Sequence, residues 1–585
     1  MSRSTAVLLA VFVFAASCSG GSSDEPSSSP TTVPTSITTE APRAAGPPAD
    51  PVDPADVVLH NGTVFTANAE QVTAEAIAIV GDDTETLDLD GRFVMPGVID
   101  AHTHPGLFAI LGTEETNQIP DGSLEDIQAW LADLAANTDD LILSGASWPN
   151  TLFGPEGPRK EWLDEVVSDR PVVLYDESGH TQWVNSVTLN LLGIDANTPD
   201  PSPGLSEFER DADGEPTGFI REFALVPAAG ELFLEEAIVL NALVKESVDG
   251  LAANGVTTLM DAGNLLFHDE IYSYLAELEA SGELPLRYEG SYHIIVPEQA
   301  EEAIAEVNRL RSDYGGDRLT FNTIKVHLDG VLEIGTASVL DPYEIADAGN
   351  GAELLSQERV TQLLLDMELE EMQLHVHTVG DRAVRTMLDA VDAARAEVGG
   401  PLQTQVTLSH IELIHPDDVA RFAELDVIAN YTPHWHGEYG ETPSSSHRFI
   451  GDERDANKHP ASVLEAAGVT VTYSSDVIDA REFDRISPFF GMQIGISHQD
   501  PQAGENAPVI DTRHVPLSIE QLMLGYTING AQQLQREDEL GSIEVGKFAD
   551  LIVLDHDIAS IDPSALGDTE PVGIMIAGEW TEVPS

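Results

Sequence analysis

Phe93-Val94-Met95-Pro96-Gly97-Val98-Ile99-Asp100-Ala101-His102-Thr103-His104-Pro105 decides how this chain is read. An apolar run leads into two histidines separated by one residue. Side chains at i and i+2 of a β-strand leave the same face, so His102 and His104 can grip one cation together. Four more groups with ligand chemistry stand at the ends of later apolar runs: Lys325, His377, His410 and Asp476. The set points towards metal-dependent hydrolysis.

The sequence around these residues alternates. Helical patterns, such as 124–134 and 231–253, are followed by compact apolar runs at 172–174, 257–260, 286–293, 320–328, 372–377, 406–410, 427–430 and 469–473. Such alternation over some 400 residues predicts an α/β fold with a parallel sheet, either a barrel or a doubly wound sheet. All the candidate ligands fall at or just beyond the carboxyl ends of predicted strands. In a (β/α)8 TIM-type barrel those ends converge on one mouth, which favours the barrel, over 96–535. Short strand-like runs at 57–59, 63–65 and 76–80, and again at 548–554 and 573–577, predict a small β-sandwich domain built from both chain ends, 56–95 and 536–585.

The chain has 585 residues, 42% of them hydrophobic, ample for a large core. Charge is the outlier: 27 Lys+Arg against 101 Asp+Glu gives a formal net charge of −74. Nucleic acid and anionic membrane surfaces are thereby excluded as partners, since both would be repelled. An acidic surface suits high salt, where screening relieves self-repulsion; a lineage-wide compositional bias explains it equally well. Residues 1–18 combine Arg3, an apolar stretch too short to span a bilayer, and Ala15-Ala16-Ser17-Cys18. Cys18 is the sole cysteine, so no internal disulfide can form. The segment resembles a bacterial lipoprotein signal with its lipobox, although Ala15 stands where leucine is usual. That resemblance implies lipidation of Cys18 and an extracytoplasmic, surface-anchored protein, with the lipid as its one link to the membrane; ordinary cleavage and release is the alternative. Residues 19–55, rich in Ser, Thr, Pro and Gly, read as a flexible tether.

Many segments in order resemble the amidohydrolase superfamily and, within it, amidohydrolase family 3, the YtcJ-like branch. They include 96–104, Leu163-Asp164-Glu165, Gly179-His180, Val184-Asn185-Ser186, and 213–218. Further along come Lys325 with Asp329-Gly330, 377–383, Ser475-Asp476, 526–531 and 541–550. The resemblance implies one or two divalent ions, zinc first, with manganese, iron or cobalt as substitutes. His102 and His104 would bind the more buried ion and Asp476 would contact it. Lys325, carboxylated by CO2, would bridge to a second ion held by His377 and His410. Two cations would lower the pKa of a shared water, and Asp476 would carry its proton to the leaving nitrogen.

Simpler readings stand beside these. His102 and His104 could be satisfied barrel residues, Lys325 an ion-paired lysine facing Asp329, and Asp476 a helix cap. His375 lies on the same strand face as His377; the family register favours His377 as ligand and makes His375 a supporting or core residue. Substrate-side candidates are His180, Trp183 and Asn185, in a segment that resembles the family's insertion over the active site, and His434, in Thr432-Pro433-His434, which could polarise the scissile carbonyl. The family often has arginine where this chain has Gly335, so substrate preference is expected to differ. The expected substrate is a small-molecule amide or formamide. A surface-tethered solute-binding protein on an inactive barrel is the competing reading, and a homodimer stays open.

Overall fold

The computed structural model describes residues 55–584 apart from 81–84, 108–116, 121, 150, 155–156, 229–239, 346–348, 371, 438–445, 479, 505–508 and 511–512. At its centre stand eight parallel strands: β1 (Val98–Thr103), β2 (Val256–Asp261), β3 (Arg287–Ile294), β4 (Leu319–His327), β5 (Gln373–Thr378), β6 (Val406–His410), β7 (Val427–Tyr431) and β8 (Val471–Tyr473). Each pairs with the next in chain order. Most are buried along their whole length, as expected of parallel strands covered on both faces. The α/β barrel expected from the alternation is present.

The seam between β8 and β1 is closed by other means than a regular ladder. Asp476 N–H donates to the His102 carbonyl (2.9 Å), and His104 N–H donates to that of Val477 (3.3 Å). The Asp100 carboxylate accepts from both Ser475 N–H (3.1 Å) and Ser475 Oγ (2.6 Å). Deeper in, Gln533 spans the seam: its amide donates to the Ala101 carbonyl (2.7 Å) and accepts from Thr472 Oγ1 (2.6 Å).

Both chain ends contribute to one seven-stranded sheet. Phe93–Pro96 runs antiparallel to Leu551–Leu554, with Met95 opposite Ile552. This sheet is bolted to the base of the barrel by the buried pair Arg287–Asp550 (3.0 Å) and by Gly97 N–H donating to the Asp550 carbonyl (3.0 Å). A side chain at Gly97 would collide with Thr257, whose Oγ1 would lie 2.1 Å from its Cβ. The Pro-Gly entry therefore lets β1 approach β2 closely.

A third sheet is inserted between β1 and β2. Its six strands run in the order Phe208–Arg210, Pro216–Arg221, Thr181–Val184, Val172–Asp176, Leu143–Trp148, Asn117–Gln118. The run at 172–174, expected among the barrel strands, belongs here instead. It packs on the insertion's own core of Ile127, Leu131, Trp148 and Trp183. Of the helix expected at 231–253, Leu240–Ala253 is helical and 231–239 lies outside the described residues. The leader, Cys18 and the tether also lie outside them. Among the described residues no helix is long and apolar enough to cross a membrane.

Candidate metal centre

β1 delivers His102 and His104 to the barrel mouth, and the turn after β8 delivers Asp476. Asp476 Oδ1 lies 3.3 Å from His102 Nε2 and 3.4 Å from His104 Nε2. Its other oxygen lies 3.6 Å from His410 Nδ1. Lys325 Nζ stands 3.3 Å from His102 Nε2. The His377 ring is edge-on to that of His410, with centroids 4.6 Å apart. All six expected ligand positions thus converge from five strands. All are buried.

Hydrogen bonds around the cluster fix which nitrogens face inward. His104 Nδ1 donates to the Gly263 carbonyl (2.9 Å), which leaves the Nε2 lone pair pointing at Asp476. His102 Nδ1 lies 2.9 Å from His375 Nε2. If His102 is to ligate through Nε2, its Nδ1–H must donate, so His375 accepts as a neutral imidazole. His375 is therefore a supporting residue. Asp329 does not pair with Lys325: its carboxylate accepts the N–H groups of Ser338, Val379 and Gly380 (2.9, 3.0 and 2.9 Å). Nor does Asp476 cap a helix, because irregular chain follows it. Asp476, His410 and Ile411 have positive φ (47°, 74° and 43°), a strained geometry that clusters at functional sites.

Burial dominates the electrostatics. It holds His102, His377 and His410 well below the usual imidazole range, reinforced by Lys325 and the neighbouring rings. His104 is pushed down to about 4, chiefly by burial. Burial pulls the Lys325 ammonium down to about 7, against the attraction of Asp476, and pushes Asp476 up to about 6. Neutral imidazoles are what a divalent ion requires of its ligands, so the donor set fits one.

A second polar group adjoins the first. His180 Nδ1 lies 2.6 Å from Glu222 Oε2, and Thr336 Oγ1 donates to the same carboxylate. His327 stacks on His377 with centroids 3.9 Å apart. Among the described residues two groups already bring one ligand atom from each member within 4.8 Å of the others: His102/His104/Asp476 and His180/Glu222/His327. Burial opposes a charge on His180, but Glu222 outweighs it and raises the imidazole above its usual range. Sequence reasoning missed Glu222 and His327. The signal for His327 was present, since it is i+2 from Lys325 on the same strand face; Glu222 carried none.

The structure gives two other substrate-side candidates different roles. Trp183 is a core residue of the insertion, packed on Phe153 and Trp162, with its Nε1 donating to the Arg159 carbonyl (2.9 Å). Asn185 caps the helix Ser186–Leu192, accepting from Thr188 N–H (3.0 Å) and donating to the Val167 and Arg170 carbonyls. Burial holds the His434 imidazole well below its usual range, reinforced by Arg485 and His436. The neighbouring Trp435 is what touches the centre, stacked on His410 with centroids 5.1 Å apart. Gly335 has φ +74°, and a Cβ there would meet the Phe449 ring at 2.8 Å, so an arginine at this position would be strained.

The sequence profile of the amidohydrolase family matches residues 85–581. This chain belongs to the amidohydrolase family. Among its relatives, YtcJ of Bacillus subtilis is 26% identical over 553 residues, which cover 89% of this chain and 98% of that protein. The N-substituted formamide deformylase of Arthrobacter pascens is 27% identical over 535 residues, covering 86% and 94%. A metal-dependent hydrolase of Pyrococcus horikoshii, 21% identical, shares the fold with a TM-score of 0.63 over 87% of this chain and 99% of that one.

Proposed function

We propose that this family member is a metal-dependent hydrolase that cleaves an amide-type carbon–nitrogen bond, other than a peptide bond, in a small molecule. The observation that carries the reading is the approach of Asp476 to both His102 and His104 (3.3 and 3.4 Å) and of Lys325 to His102 (3.3 Å). His102, His104 and Asp476 would hold one ion; Lys325 as its carbamate, His377 and His410 would hold the second. When bound, such an ion supplies Lewis acidity and a water of lowered pKa, and the imidazole–carboxylate donor set suits zinc.

The chain's own groups do the rest. Lys325, drawn down to about 7 by burial, has an appreciable neutral fraction near pH 7, the form whose lone pair adds to CO2 with loss of one proton. Asp476 accepts the proton of the attacking water and returns it to the departing nitrogen, a role for which a carboxylate beside the reacting atoms is suited. Trp435 covers His410 and excludes bulk water from that side. N-substituted formamides are the first substrates to assay, because a relative of similar length bears that activity in its name.

Turnover of a panel of N-substituted formamides, N-acyl amino acids and carbamates tests the reading. We expect metal-dependent turnover by the wild type and its loss in both His102→Ala and Lys325→Ala. Undiminished turnover by both variants ends it. Within the same proposal the chain acts outside the cytoplasm, tethered through lipid on Cys18. Cys18→Ser should release it into the soluble fraction, and unchanged membrane association would refute the tether.

A further inference from the structure

Beyond the barrel mouth, four histidines from four separate segments surround one small cavity, also lined by Ser462. His436 ends the short turn Pro433–His436 after β7, and His459 follows the helix His447–Asp455. His498 caps the helix Pro488–Ser497, and His514 precedes the helix Ile519–Gly525. The cavity measures about 10 Å³, room for one water molecule or one ion. The His436 ring lies 5.3 Å from that of His459 and 5.9 Å from that of His498. His436 Nε2 is buried with no hydrogen-bond partner among the described residues. A buried, unsatisfied imidazole nitrogen is costly unless something fills its lone pair or takes its proton. His514 Nε2 lies 2.9 Å from the Asn457 carbonyl. A donor there places the lone pair on Nδ1, the arrangement in which metal-ligating histidines are held by a backbone carbonyl.

We propose that His436, His459, His498 and His514 form a second cation site that takes a borderline divalent metal, zinc, nickel or copper, independently of the centre at the barrel mouth. Their nitrogens do not converge as closely as those of His102, His104 and Asp476, and His436 and His459 stand stacked, so binding requires the rings to turn inward. Burial and mutual proximity disfavour a charge on three of them: His436 is held down to about 3, and His459 and His498 lie below the usual range. The ion staples four stretches of chain that no disulfide can join, since the single cysteine lies at position 18. It also fixes the turn that carries Trp435, whose ring stacks on His410.

Metal counting on the full chain tests this. Protein stripped with chelator, reloaded with Zn²⁺ and desalted is compared as wild type, His436→Asn/His498→Asn, and His102→Asn/His104→Asn. We expect the pocket variant to bind one equivalent fewer than wild type, and the His102/His104 variant to retain the pocket equivalent. Equal metal content in the wild type and the pocket variant overturns the site, leaving the cavity to water. Should the double variant fail to fold, His514→Gln alters a partly exposed ligand instead. Reloading the His102→Asn/His104→Asn background with Co²⁺ should then give a visible ligand-field band that His514→Gln shifts or abolishes; an unchanged spectrum overturns the proposal. Loss of turnover without loss of the pocket equivalent separates the mouth from this site.

Discussion

Asp476 touches three imidazoles with two oxygens, so a single amide substitution alters the centre without changing its volume. Asp476→Asn should lower kcat by about 10²–10⁴-fold, the range for removing a positioned proton acceptor, as measured in steady-state kinetics on the best formamide. On the proposed carboxylation of Lys325, Lys325→Ala removes a carboxylate that a small anion can replace. Short carboxylates such as acetate should partly restore turnover to that variant, and no recovery at any concentration would argue against carboxylation. Away from the centre, His268 gives a stability effect of definite sign. Its Nε2 accepts from His293 N–H (3.0 Å) while its ring stacks on Tyr292, and burial pushes it down to about 4 from 6.5. Between those values the unfolded chain binds the extra proton, so the contribution is complete above pH 6.5 and is lost as pH falls towards 4. His268→Gln should flatten the acid limb of unfolding free energy by at most about 3 kcal/mol at pH 4. An identical pH profile in denaturant titrations would contradict this.

The strands of the barrel were legible because burial on both faces leaves continuous apolar runs, and polar residues inside such runs stand out. That is why His102, His104, Lys325, His377, His410 and Asp476 could be found. Period-2 alternation could not separate His375 from His377; depth in the barrel and the bond to His102 do so. The insertion was hidden for a related reason. Residues 172–174 have the composition of a barrel strand, and only their pairing with Leu143–Trp148 and Thr181–Val184 reveals another sheet. Trp183 and Asn185 looked like recognition residues, yet a tryptophan serves a core and an asparagine a helix cap equally well. Glu222 reaches His180 only through the folded insertion. At the junction of β1 and β2, Gly97→Ala should cost roughly 1–3 kcal/mol by overpacking against Thr257, and Thr257→Ala should recover part of the loss. A double-mutant cycle of denaturation midpoints that shows strict additivity would refute the contact.

On the scale of the whole molecule, a net charge of −74 makes self-repulsion a standing load on the fold. Raising salt from 0.1 M to 1 M shortens the Debye length from about 10 Å to about 3 Å, so Tm should rise with NaCl. A flat or falling Tm in calorimetry would assign the acidity to compositional inheritance alone. The clasp of Asp100 on Ser475 reaches across 375 positions of chain. Contacts of such range are the slowest to form, because the loop between them must be ordered first. A ribosome that has released everything up to Ser474 has already made every imidazole of the barrel mouth, yet the nascent polypeptide still lacks the carboxylate that would gather them. Turnover should therefore await completion of the barrel, and chains that end before Asp476 should be inert.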